Sequence, residues 1–134
     1  MDLHHISISV ISLANPWLDW VPSAEAAKAA QSINDEVDEQ CSQYPGRLFA
    51  FGTLPLSGGN AVILDEIKRL KGLKYMRGVI LGTTGLGKGL DDPELLPVFK
   101  ALQDENLPIF LHPHYGLPSS VVCFPPCPTC TWMC

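Results

Sequence analysis

Chemistry in this 134-residue chain would start at His112-Pro113-His114, which follows the apolar run Pro108-Ile109-Phe110-Leu111. Imidazole is the commonest side-chain metal ligand near neutral pH. Side chains two apart on a strand point the same way, although Pro113 can bend the chain and part the two rings. The plainer alternative is a pair of loop histidines bonded to backbone or water. Asn15 stands in a matching place, just after the first apolar run. Its amide both donates and accepts, so it can read a planar polar ligand or hold the turn before Pro16. His4 and His5 have no evident partner and read as solvated.

Two further patterns compete. Gly82-Thr83-Thr84-Gly85-Leu86-Gly87-Lys88-Gly89 reads G-x-x-x-x-G-K, close to a phosphate-binding loop. That loop needs a Ser or Thr hydroxyl after the lysine, where Gly89 stands, and a helix opening at the lysine. The next cap is Asp92, whose carboxylate repels phosphate. A βα loop using glycine for unusual backbone angles is the simpler account. Cys127-Pro128-Thr129-Cys130 is a C-x-x-C knuckle, flanked closely by Cys123 and Cys134. A zinc ribbon spaces its second knuckle about 15–20 residues away. The alternatives are a tight four-cysteine metal clip, or a tail read from an intron or a shifted frame.

The elements that must carry these residues follow from periodicity. Ile6 to Leu13 alternates and then runs apolar, as a mostly buried strand does. Ser23 can cap a helix whose face is Ala26, Ala30, Ile33, Val37 and Cys41, stopped at Tyr44-Pro45-Gly46. Leu48 to Leu54 is a second strand. Asn60 can cap a second helix, with Ile63, Leu64, Ile67 and Leu70 buried and Gly72 as its C′ residue. Val79 to Leu81, preceded by Met76-Arg77-Gly78, is a third strand. Asp92-Pro93 opens a third helix with Leu95, Leu96, Phe99 and Leu102, and Pro108 to His112 is a fourth strand. The order βαβαβαβ, with short apolar strands, means an α/β fold with a parallel sheet under helices. An open doubly wound sheet and a (β/α)8 barrel both satisfy it.

Apolar residues make up 46% of the chain, charged residues 17%, and the net charge is -5. No basic stripe offers itself to nucleic acid or to an anionic membrane. No stretch approaches the roughly 18 apolar residues of a spanning helix. The start lacks a basic n-region, so a cytoplasmic protein is expected. Of five cysteines only Cys41 lies outside the last dozen positions, so the first 118 residues are not a disulfide scaffold. Composition breaks after Pro118: residues 1–118 read as one domain, and residues 119–134 as a Cys/Pro-rich tail.

Four stretches together resemble a known family. They are Ser9 to Trp17, Leu73 to Thr83, Gly85 to Pro93, and Phe110 to Pro118. They are similar to the fungal uracil-5-carboxylate (iso-orotate) decarboxylases, relatives of the aminocarboxymuconate-semialdehyde and γ-resorcylate decarboxylases of the amidohydrolase superfamily. The resemblance implies a partial (β/α)8 TIM barrel of about four parallel strands, and a divalent metal, usually zinc. It implies a metal-dependent, non-oxidative decarboxylation of an aromatic or heteroaromatic carboxylate, uracil-5-carboxylate going to uracil and CO2. By the resemblance His112 is a metal ligand and Asn15 contacts the substrate. It also assigns Gly82 to Gly89 to a βα loop on the catalytic face. The family's His-x-His pair belongs to a strand before this chain begins, and its acid/base histidine and metal-binding aspartate to later strands. No catalytic residue is therefore expected within the chain, and one imidazole does not hold zinc, which takes three or more protein ligands. The chain reads as a copy truncated at both ends, catalytically silent alone. The alternatives are a nucleotide-binding module built on Gly82 to Lys88, or a non-catalytic isoform that pairs with a full-length barrel or with itself.

Overall fold

The computed structural model describes residues 1–15 and 17–113. His114, the boundary expected after Pro118, and the tail with Cys123, Cys127, Cys130 and Cys134 lie outside the described residues. Four strands, β1 (Ser9–Ser12), β2 (Leu48–Gly52), β3 (Met76–Gly82) and β4 (Ile109–His112), alternate with helices α1 (Ser23–Ser42), α2 (Asn60–Gly72) and α3 (Leu96–Asp104). Single 3-10 turns stand at Asp2–His4, Leu56–Gly58 and Pro93–Leu95.

All three strand pairs are parallel, and the spatial order is β1-β2-β3-β4. This order chooses between the two architectures that periodicity left open. A doubly wound sheet reverses its strand order at a switch point. Here every crossover advances the same way, and right-handed crossovers then put all the helices on one face. The structure is part of a (β/α)8 barrel wall.

Alternation divides each strand between two faces. Ala50 and Val79, both fully buried, join Ile63, Ile67 and Leu70 of α2 and Val98 and Leu102 of α3 in the main core. A Cβ on Gly52 would meet the Leu70 side chain at 2.7 Å, which shows how closely α2 lies on β2. The other face carries Phe51 and Phe110, stacked with centroids 5.4 Å apart. Gly78 lies beside them: a Cβ there would meet the Pro108 carbonyl oxygen at 2.3 Å and Phe51 Cδ1 at 3.1 Å. A second, smaller cluster of Leu18, Val21 and Ala30 sits under the segment joining β1 to α1.

Several expectations are corrected. β1 is shorter than the run 6–13 and is not mostly buried: Val10 is 43% and Ile11 38% exposed. β4 is equally open, because among the described residues each outer strand has a ladder partner on one side only. Ser23 does not cap α1. It is the first helical residue, Pro22 holds the cap, and no side chain bonds the helix end. Asn60 does not cap α2 either. Gly59 takes that position at φ 82°, and the Asn60 amide instead donates to the Glu94 carbonyl at 2.9 Å. Gly72 ends α2 inside the helix, with extended Leu73 after it. Asp92 does cap as expected, accepting the Glu94 N–H at 3.0 Å, but it opens the 3-10 turn ahead of α3.

Candidate functional site

Ligands of barrel proteins gather at the carboxyl ends of the strands. His112 is the last residue of β4 and is half-buried there. Its register partner on β3 is Gly82, which brings no side chain to that level. The Thr83 N–H donates to the His112 carbonyl at 3.2 Å and carries the β3–β4 ladder up to the rim. The imidazole lies edge-on to Trp17, with centroids 5.6 Å apart, and to Phe110, 6.3 Å apart.

His112 Nδ1 lies 2.8 Å from the Pro113 carbonyl oxygen. A carbonyl only accepts, so Nδ1 carries the proton, and in the neutral ring the lone pair is on Nε2. A ring held in this way by a backbone carbonyl is what orients a metal-ligating histidine. Asn15 Nδ2 donates to the same carbonyl at 3.5 Å, a long contact that leaves most of the amide's capacity for something else. Asn15 and Trp17 follow β1, yet they touch the end of β4. Three strand spacings of about 4.8 Å separate those strands along the sheet. The segment after β1 therefore crosses the mouth of a curved wall.

His112 thus fits as one ligand of a divalent ion. The set is incomplete: among the described residues no three His, Cys, Asp or Glu side chains cluster closely enough to hold a metal ion. His114 lies outside the described residues.

The phosphate-loop reading fails on geometry. Gly82 to Gly89 turns on itself through Gly85 N–H to Gly82 O (3.1 Å) and Gly89 N–H to Thr84 O (3.0 Å). Lys88 is turned to carboxylates, Glu94 at 3.2 Å and Asp92 at 3.9 Å, and the Glu94 contact holds its ammonium above the usual pKa. Helix α3 begins only at Leu96. A cavity of about 280 Å³ lies between this loop, Asp19 and Leu56-Ser57, on the same face as His112. Another of about 360 Å³ lies at the far end, lined among others by Lys71, Lys74, Arg77 and Asn106. Lys71 Nζ donates there to the Glu105 carbonyl at 2.7 Å. That contact answers the C-terminal end of α3, where carbonyls are left over, while Arg77 donates to the Lys74 and Met76 carbonyls beside β3.

Sequence reasoning missed Trp17. It is 7% exposed with φ 48°, and a lone aromatic after Asn-Pro reads as turn. It also missed Asn34 and Glu66, both 2% exposed. The signal was available: each stands inside an otherwise apolar helical stripe, Glu66 between Ile63 and Ile67, Asn34 between Ala30 and Val37.

The family model described as Amidohydrolase matches residues 9–129. The γ-resorcylate decarboxylase of Rhizobium radiobacter is 28% identical over 124 residues, covering 88% of this chain and 38% of that protein. The crystal structure of Metarhizium anisopliae IDCase in apo form superposes with a TM-score of 0.85 at 61% identity, covering 90% of this chain and 32% of that one. A dihydroxybenzoic acid decarboxylase from Polaromonas sp. JS666, crystallised with bound manganese and the inhibitor 2-nitroresorcinol, gives 0.77 at 26% identity, covering 90% and 38%. The chain thus spans 32–38% of the length of these relatives.

Proposed function

Because the chain belongs to the amidohydrolase family, we propose that it forms the middle of the barrel of a metal-dependent, non-oxidative carboxy-lyase acting on an aromatic or heteroaromatic carboxylate. Uracil-5-carboxylate, converted to uracil and CO2, is the substrate we favour, on the 61% identity to IDCase. The observation that carries the reading is the His112 ring, locked through Nδ1 with Nε2 facing away from the Pro113 carbonyl, beside Asn15 at the strand ends.

The residues divide the work. His112 offers one nitrogen to a divalent ion. Zinc suits an imidazole ligand, and manganese is the ion bound in the Polaromonas relative. Asn15 presents an amide that can pair with a ring carbonyl and N–H of the substrate. Trp17 and Phe110 stand edge-on to the imidazole and help to fix its orientation. The ion, when bound, would act as Lewis acid and template. The described residues supply too few ligands to hold it, so no step is assigned through it. We expect the 134-residue chain to release no uracil from uracil-5-carboxylate with added zinc or manganese. Grafted in place of the equivalent segment of IDCase, it should turn the substrate over, and His112→Ala in that graft should abolish metal uptake and turnover together. An active lone chain, or a graft indifferent to His112→Ala, would overturn this assignment.

No helix among the described residues is long and apolar enough to cross a membrane. We place the enzyme in the cytoplasm on the family chemistry alone. The exposed apolar residues of β1 and β4 favour further strands as neighbours, from a second copy or from a full-length barrel. Sedimentation at rising concentration checks this.

A further inference from the structure

A buried polar chain ends at the backbone of β2. Asn34 of α1 accepts the Thr53 N–H on Oδ1 at 2.9 Å and donates through Nδ2 to the Thr53 carbonyl at 3.0 Å. The same Nδ2 donates to Glu66 Oε1 of α2 at 2.7 Å. Arg69 grips that carboxylate with both arms, Nε to Oε2 and Nη2 to Oε1, each at 2.8 Å. Arg69 also pairs with Asp35 and reaches the Gln31 carbonyl at 3.4 Å. The Glu66 side chain is 1% exposed, so its charge stands on this fork and on the Asn34 amide. The Glu66 contact, more than any other, raises the Arg69 pKa still further above its ordinary value.

The strand ladder explains why Thr53 needs Asn34. In a parallel pair, alternate residues turn both backbone groups to the same neighbour. Ala50 N–H donates to Tyr75, on the β3 side, while the Arg47 carbonyl accepts Ser9 N–H, on the β1 side. Odd-numbered residues of β2 therefore face β1. The β1–β2 register ends at Ser12 with Phe51. The next odd residue is Thr53, and continued pairing would give its N–H to the carbonyl of Leu13. Asn34 takes that place with one amide, satisfying donor and acceptor at once.

We propose that Asn34, held by Glu66 and Arg69, is a positioning residue for the site at His112. It closes the β1–β2 ladder at Phe51 and so releases the chain after Ser12 from the sheet, bringing Asn15 and Trp17 to the end of β4. The value of the site rests on the function proposed above, whereas the release is geometric and can be tested without activity.

The test uses the full chain carrying Trp20→Phe and Trp132→Phe, so that Trp17 is the one remaining tryptophan of three. Asn34→Ala should shift Trp17 emission to the red and raise amide exchange at Thr53 about tenfold or more. Ile67→Ala, a core truncation on α2, should lower stability and leave Trp17 emission in place. Unchanged Trp17 emission in folded Asn34→Ala protein, or the same red shift in Ile67→Ala, would overturn the proposal. If Asn34→Ala does not fold, the unaltered chain decides. Its Thr53 amide must then exchange as slowly as that of Phe51, and exchange at the rate of a free loop amide refutes the closure of the ladder.

Discussion

The two central strands and the two outer ones carry the same kind of sequence and meet different surroundings. In β2 and β3, Ala50 and Val79 are fully buried and Leu81 is 1% exposed. In β1 and β4, Val10, Ile11, Phe110 and Leu111 are 38–47% exposed. Both pairs read as apolar runs, because an apolar run records the burial a strand needs in the finished sheet and not how many neighbours are present. The site straddles the contrast. Gly82 of β3 pairs in register with His112, while His112 and Asn15 come from or just after the outer strands.

The largest test of this contrast truncates the same side chain in both settings. Leu81→Ala should cost about 2–5 kcal/mol in unfolding free energy, since it empties a packed position. Leu111→Ala, at a residue 47% exposed, should cost under about 1 kcal/mol. Urea unfolding of both variants settles the comparison. Equal losses would mean that the outer strands are as firmly packed as the central ones, contrary to their exposure.

A charge at the outer edge should act on association more than on the fold. An open, apolar edge strand is a template for another chain. Leu111→Lys should change unfolding free energy by less than about 1 kcal/mol and abolish the concentration-dependent sedimentation expected of the unaltered chain. A chain that stays monomeric as its concentration rises would remove the case for strands pairing on β4.

How far the sequence could be read follows the same division. The helices and the succession of elements along the chain were legible because periodicity depends on local neighbours: of the expected stripe, Ile63, Ile67 and Leu70 are buried and Leu64 partly so, whereas the spatial order of the strands was left open. The ends were less so. Ser23 and Asn60 are good capping residues, but Pro22 and Gly59 already turn the chain, and the Asn60 amide is drawn to Glu94 by a tertiary contact. Asn15 and His112 were singled out by their place at the ends of strands, and the structure brings both to one carbonyl oxygen. Trp17 was not, since its partner lies 95 residues away and no local pattern announces such a contact, whereas Asn34 could have been singled out as a polar residue in an apolar stripe, though not its partner 19 residues on.

The smallest expected effect lies where β1 is tied at its lower end. Arg47, just before β2, donates to the Ile6 carbonyl at 3.0 Å and pairs with Asp2 at 2.6 Å. The hydrogen bond from Arg47 to the Asp2 carboxylate, with the charge attraction behind it, lowers the Asp2 pKa below its ordinary 3.8. A carboxyl depressed in the folded state stabilises it above the unfolded value, and the gain is lost as pH falls through the folded value. The loss therefore belongs below about pH 4. Asp2 is fully open to solvent, so screening leaves little of it. Asp2→Asn should leave the melting temperature unchanged at neutral pH within error, and should flatten only slightly its fall in acid. A neutral-pH loss comparable to that of Leu81→Ala would show that the lower end of β1 is held as tightly as the centre, and the division between central and outer strands would fail.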